Sequence, residues 1–137
     1  MWTDPRDETA AAAVAHRDAP VGDSLDPDLV AALLELGDAE FFAELVDDFV
    51  TSTRAYLGEL DSALAAGDAE AAYKAAHTMK SSAANMGAVA FSELCRSIEA
   101  AGRAGDIGSL GGVVERLERE FERVRADLAA AAAEAAT

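Results

Sequence analysis

Apolar residues recur at three- and four-residue spacing from Leu29 to Leu128, the period of helices that bury one face. Asp26 reads as an N-cap with Pro27 at the first helical position, and Leu29, Val30, Leu33 and Leu34 follow before Gly37 stops a short helix. From Asp38 a longer pattern carries Phe42, Leu45, Val46, Phe49, Tyr56, Leu57, Leu60 and Leu64 to Gly67, a helix of about 40 Å at 1.5 Å per residue. Gly67 and Asp68 close that helix and cap a third, which runs to about Met86, where Gly87 ends it. A fourth covers Val89 to Ala104 with Phe91, Leu94, Cys95, Ile98 and Ala101 inward, and Gly102, Gly105 and Gly108 are read as its last turn. The final pattern is Leu110, Val114, Leu117, Phe121, Val124 and Leu128, with Glu115–Arg119 and Arg116–Glu120 pairs expected on its outer side. Minimal links force antiparallel neighbours. The expected fold is therefore all-α: an antiparallel four-helix bundle with a short N-terminal capping helix. Residues 1–24 are expected to form a mobile extension, 25–130 the bundle, and 131–137 a fraying tail.

The third helix departs from a plain amphipathic pattern. At 100° per residue, Ala72, Ala76, Met79, Ala83 and Met86 gather on one stripe, and His77 projects about 140° from its centre. The imidazole therefore faces water. Tyr73 and Lys74 precede it by one turn on its own face, and Lys80, Ser81 and Ala84 follow. Lys74 and Lys80 are the only lysines of the chain. Small residues around an exposed imidazole, beside fixed positive charge, suit an anionic group delivered by a docking partner.

Composition agrees with the helical reading. No proline follows Pro27, and alanine, leucine, glutamate and arginine dominate the remainder. The 137 residues suffice for one domain with a single core. A net charge of −15 argues against nucleic acid and anionic membrane surfaces, both of which would repel the chain. Apolar runs such as Ala10 to Ala15 fall far short of a signal or membrane segment, and the lone cysteine excludes an intrachain disulfide. A cytoplasmic monomer is expected. Cys95, on an apolar stripe, reads as a small buried hydrophobe rather than a redox group. His16, beside Arg17 in the extension, lacks convergent neighbours.

Enzyme readings lack their parts. No GxxxxGK[ST] or GxGxxG loop is present to hold a nucleotide, so phosphorylation from ATP is not expected. Neither histidine has glutamate three residues before it, as a di-iron bundle would need, and no HExxH, CxxC or Ser-His-Asp pattern occurs. No metal site or cofactor is expected on this chain. A helical adaptor that binds partners and transfers nothing is the alternative from another class.

His77-Thr78-Met79-Lys80-Ser81-Ser82, followed by Asn85-Met86-Gly87-Ala88 and then Leu94, Cys95, Ile98 and Glu99, resembles the signature of histidine-containing phosphotransfer (HPt) domains. The resemblance covers Leu25 to about Leu128. Ser81 stands where the family usually has glycine; serine is small enough to keep the clearing open. The resemblance implies that His77 accepts a phosphoryl group from a receiver-domain aspartate and passes it to another. Lys80 would support the phosphate charge, and Glu99 would hydrogen-bond and orient the ring. Loop arithmetic agrees with the last assignment, since 77 and 99 lie ten and twelve residues either side of Gly87. Expected docking residues for the receiver are Tyr73, Lys74, Ser81, Ser82, Ala84, Gly87 and Arg103. Expected partners are response-regulator receiver domains and a hybrid sensor histidine kinase, with Mg2+ carried by the receiver.

Overall fold

The computed structural model describes residues 24–137. His16 and the expectation of a mobile extension lie outside them, apart from Ser24. That residue is buried, and Asp127 accepts hydrogen bonds from both its backbone N–H (3.2 Å) and its hydroxyl (2.6 Å), so the bundle begins one residue earlier than composition suggests.

Five helices follow, α1 Pro27–Leu34, α2 Ala39–Ala66, α3 Ala69–Asn85, α4 Val89–Ala104 and α5 Gly111–Ala135. Aspartates cap the first three. Asp26 accepts from the N–H groups of Asp28 and Leu29, Asp38 from Phe41 and Asp68 from Ala71, which satisfies donors that the first helical turn leaves free. Helices α2 to α5 run up and down in sequence order, each against the next, and α2 meets α5 to close the ring. Among the described residues the fold is all-helical, as expected.

The core is filled by Phe42, Leu60, Met79, Phe91, Ile98, Leu117 and Leu128, all at most 1 % exposed. Helix α3 contributes little volume, since Met79 is joined on its inner face by Ala72, Ala75, Ala76 and Ala83. Small side chains let the α3 backbone approach its neighbours closely, and its pairing with α4 is the most extensive in the bundle. At the α3–α4 turn Gly87 adopts φ +80°, and the Ala88 N–H reaches back to the Ala83 carbonyl at 2.9 Å, the wrap that ends a helix on a left-handed residue. The capping segment closes over this turn, for the Asp26 N–H donates to the Gly87 carbonyl at 2.8 Å.

Three expectations need correction. Of the three glycines read as the last turn of α4, Gly102 lies in it, Gly105 is its left-handed cap and Gly108 falls beyond the helix; Gly102 is moreover buried against α3, where a β-carbon would come within 2.9 Å of Tyr73 Cβ and 3.0 Å of the Ala69 carbonyl. The 131–137 segment, expected as a tail beyond the bundle, is helical as far as Ala135, where α5 ends. Alanine is the strongest helix former, and Ala131 and Ala132 pack, half-buried, against the core. Glu120 is not an outer-face residue paired with Arg116. It is buried and bonded to Arg123 at 2.9 Å, and burial raises its carboxyl above the usual range.

Candidate functional site

His77 stands on the outer side of α3, its side chain 51 % exposed, while the side chain of Glu99 from α4 is only 8 % exposed. Alanine packing brings the two helices close enough for a short carboxylate to span them. Glu99 Oε2 lies 2.6 Å from His77 Nδ1, and Glu99 Oε1 accepts from Lys80 Nζ at 2.5 Å. One buried carboxylate thus joins the imidazole to the ammonium one turn further along α3. An ionised acceptor requires the proton on Nδ1, which leaves the lone pair on Nε2, at the ring's opposite edge.

The Lys80 hydrogen bond, followed by that of His77, holds the Glu99 carboxyl below its usual range despite burial. A carboxyl whose pKa falls on folding contributes stability above its unfolded value, about 4.3, and loses it as pH drops through the folded value. Glu99→Gln is expected to flatten the acid limb of the stability profile, measured by urea denaturation at stepped pH. Parallel wild-type and variant curves below about pH 4 would show that the carboxylate has no such linkage.

Neighbouring groups fix the surroundings. The Ser92 hydroxyl of α4 donates to the Lys80 carbonyl at 2.9 Å, tying the helices together beside the site. Tyr73 lies one turn before His77 with ring centroids 5.8 Å apart, and Arg103 donates to the Tyr73 hydroxyl at 3.1 Å. Ser81 and Ala84 are exposed and Ser82 is half-buried. Lys74 turns away to Glu70, 3.6 Å distant, so one lysine rather than two serves the imidazole. Gly87 is buried under the capping segment, with Leu29 Cβ 3.3 Å from where its own β-carbon would be, so it cannot belong to an open docking face. Cys95 is fully buried, and burial followed by the Glu99 charge pushes its thiol up to about 12, which keeps it protonated.

Sequence reasoning missed Ser92, Gly102 and the bond between Lys80 and Glu99. Ser92 carried a signal, for a hydroxyl next to Phe91 near an apolar stripe needs a partner. Gly102 carried none, since in sequence it is indistinguishable from the glycines that end α4.

The fold and the site together define a helical-bundle protein that presents the His77 imidazole at its surface, backed by a buried carboxylate and an ammonium group. The Hpt domain model matches residues 44–127, and the chain therefore belongs to the histidine-containing phosphotransfer family. Among solved structures it is similar to histidine-containing phosphotransfer protein B (HptB) from Pseudomonas aeruginosa PAO1, at 34 % identity and a TM-score of 0.76, covering 85 % of this chain and 97 % of that one. No curated protein sequence matches the chain. Family membership carries a phosphotransfer role in two-component relays, in which Hpt proteins work with receiver domains and histidine kinases. Among the described residues no helix is long and apolar enough to cross a membrane.

Proposed function

We propose that His77 is the phosphoacceptor of a phosphorelay carrier, taking a phosphoryl group from a receiver-domain aspartyl phosphate and returning it to the aspartate of another receiver. The observation that supports this reading is the Glu99 contact at Nδ1, which leaves the Nε2 lone pair of a half-exposed side chain available as the nucleophile. In the forward step the Nε2 lone pair forms a bond to phosphorus while the bond from phosphorus to the aspartyl oxygen breaks, and the aspartate leaves as a carboxylate. The ring keeps its Nδ1 proton and becomes positively charged. Glu99 stabilises that charge without moving, an orientation already present before reaction. Lys80, held by the same carboxylate, supplies positive charge on the side where the phosphate arrives.

The carrier contributes the nucleophile and its alignment, whereas Mg2+ and the remaining catalytic groups belong to the receiver. On this reading the chain is a phosphocarrier of the cytoplasm rather than an enzyme acting on ATP. Mixing it with a phosphorylated receiver should place acid-labile, base-stable phosphate on it; a chain that takes no such label would refute the proposal.

The receiver is proposed to dock over the His77 face, bordered by Tyr73, Ser81, Ser82, Ala84 and Arg103. Ser81 and Ala84 leave the clearing that admits a partner loop. Ser81→Trp is expected to slow transfer on the order of a hundredfold, because misplacement by about 1 Å suffices for a loss of that size. Stopped-flow transfer at the wild-type rate in this variant would remove the docking surface from the His77 face.

A further inference from the structure

A hydrogen bond at Nδ1 fixes one edge of the imidazole and leaves the ring free to tilt about that edge. Half of the His77 side chain is open to solvent, so water does nothing to prevent the tilt. On the N-terminal side of the ring stands Tyr73, four residues earlier on the same helix, where side chains of one face meet. The two rings are 5.8 Å apart between centroids with 30° between their planes.

Tyr73 is itself restrained by α4. The Arg103 guanidinium lies over its ring, 5.0 Å from the centroid, and also donates to its hydroxyl at 3.1 Å. Gly102 brings the α4 backbone against the stem of the tyrosine, leaving no room for even a β-carbon. The half-buried tyrosine is thus held at its hydroxyl, its ring face and its Cβ by α4, and its ring neighbours the imidazole.

We propose that Tyr73 is a positioning residue for phosphotransfer. Clamped by Arg103 and Gly102, its ring confines the His77 imidazole to the orientation in which Nε2 faces outward, in line with an incoming phosphoryl group. The proposal rests on His77 being the phosphoacceptor. Confinement before the encounter removes a rotational search from the reacting complex, so the rate at saturating receiver should fall when the Tyr73 ring is lost, beyond any change in affinity that follows from its place at the edge of the docking face.

Two variants of the full chain test this. Tyr73→Phe keeps the aromatic face beneath Arg103 and is expected to transfer within about twofold of wild type. Tyr73→Leu fills similar space without a ring face. Its saturating rate of transfer from a phosphorylated receiver should fall roughly tenfold with helicity retained, a loss that excess receiver does not restore. The imidazole resonances of His77 in Tyr73→Leu should broaden and lose the ring-current shift of the tyrosine. A wild-type saturating rate in Tyr73→Leu, a change confined to the half-saturating concentration, or a Tyr73→Phe variant as impaired as Tyr73→Leu would each overturn the proposal. Phosphate found elsewhere than on His77 would instead refute the phosphoacceptor assignment. The imidazole resonances need no receiver, so in that event they still decide the clamp: spectra of Tyr73→Leu identical to wild type in the His77 ring would overturn it alone.

Discussion

His77→Gln is expected to abolish labelling by a phosphorylated receiver, with helical content and melting temperature close to wild type. Glutamine keeps a polar side chain of similar reach on the exposed side of α3 but has no ring nitrogen with an available lone pair. The residue contributes nothing to the core, since the buried stripe of α3 consists of Ala72, Ala75, Ala76, Met79 and Ala83. Loss of transfer and retention of fold should therefore separate cleanly. Labelling that persists in the variant, on His16 or any other residue, would remove His77 from the chemistry and leave the Glu99 contact as a structural hydrogen bond.

Gly102→Val is expected to destabilise the bundle by roughly 2–3 kcal/mol, the cost of forcing volume into a closed helix contact. The neighbours that a new β-carbon would strike are the Cβ and Cα of Tyr73 and the carbonyl of Ala69, all within 3.0 Å and all fixed to the α3 backbone. None can rotate out of the way, so α3 and α4 must separate. The melting temperature should fall by about 10 °C. Transfer should slow as well, because the 2.6 Å contact between His77 and Glu99 bridges the same two helices. Gly108→Ala serves as the control, since a β-carbon at that position meets nothing within 4 Å. Thermal melts in which the two variants behave alike would show that α4 does not need glycine at position 102.

The contrast between these two positions also marks how far periodicity reaches. His77 was legible because exposure of a helical residue follows from its angle to the apolar stripe, a property of the segment alone. Gly102 was not legible, because a glycine that ends a helix and a glycine that lets two helices touch have the same local sequence. The opposition of 77 and 99 lies between these cases. Two antiparallel helices joined by a tight turn at Gly87 must bring residues equally far from the turn together, so sequence distance sufficed to pair them. It did not reveal that Lys80 shares the carboxylate, nor that Lys74 turns to Glu70 instead.

By itself the sequence determined the helices of the described residues, the caps at Asp26 and Asp68, the start of α2 at Asp38, the turn at Gly87 and the outward direction of His77. Each is written in signals that act over one or two helical turns, where backbone hydrogen bonding and side-chain direction leave few choices. Tertiary structure alone decided which further groups meet across helices: Ser92 with the Lys80 carbonyl, Arg103 with Tyr73, Lys80 with the Glu99 carboxylate, and Ala131 with the core. Those contacts depend on how closely and at what rotation the helices settle. That geometry is set by the summed packing of alanines and large side chains from all four helices, and no single segment encodes it.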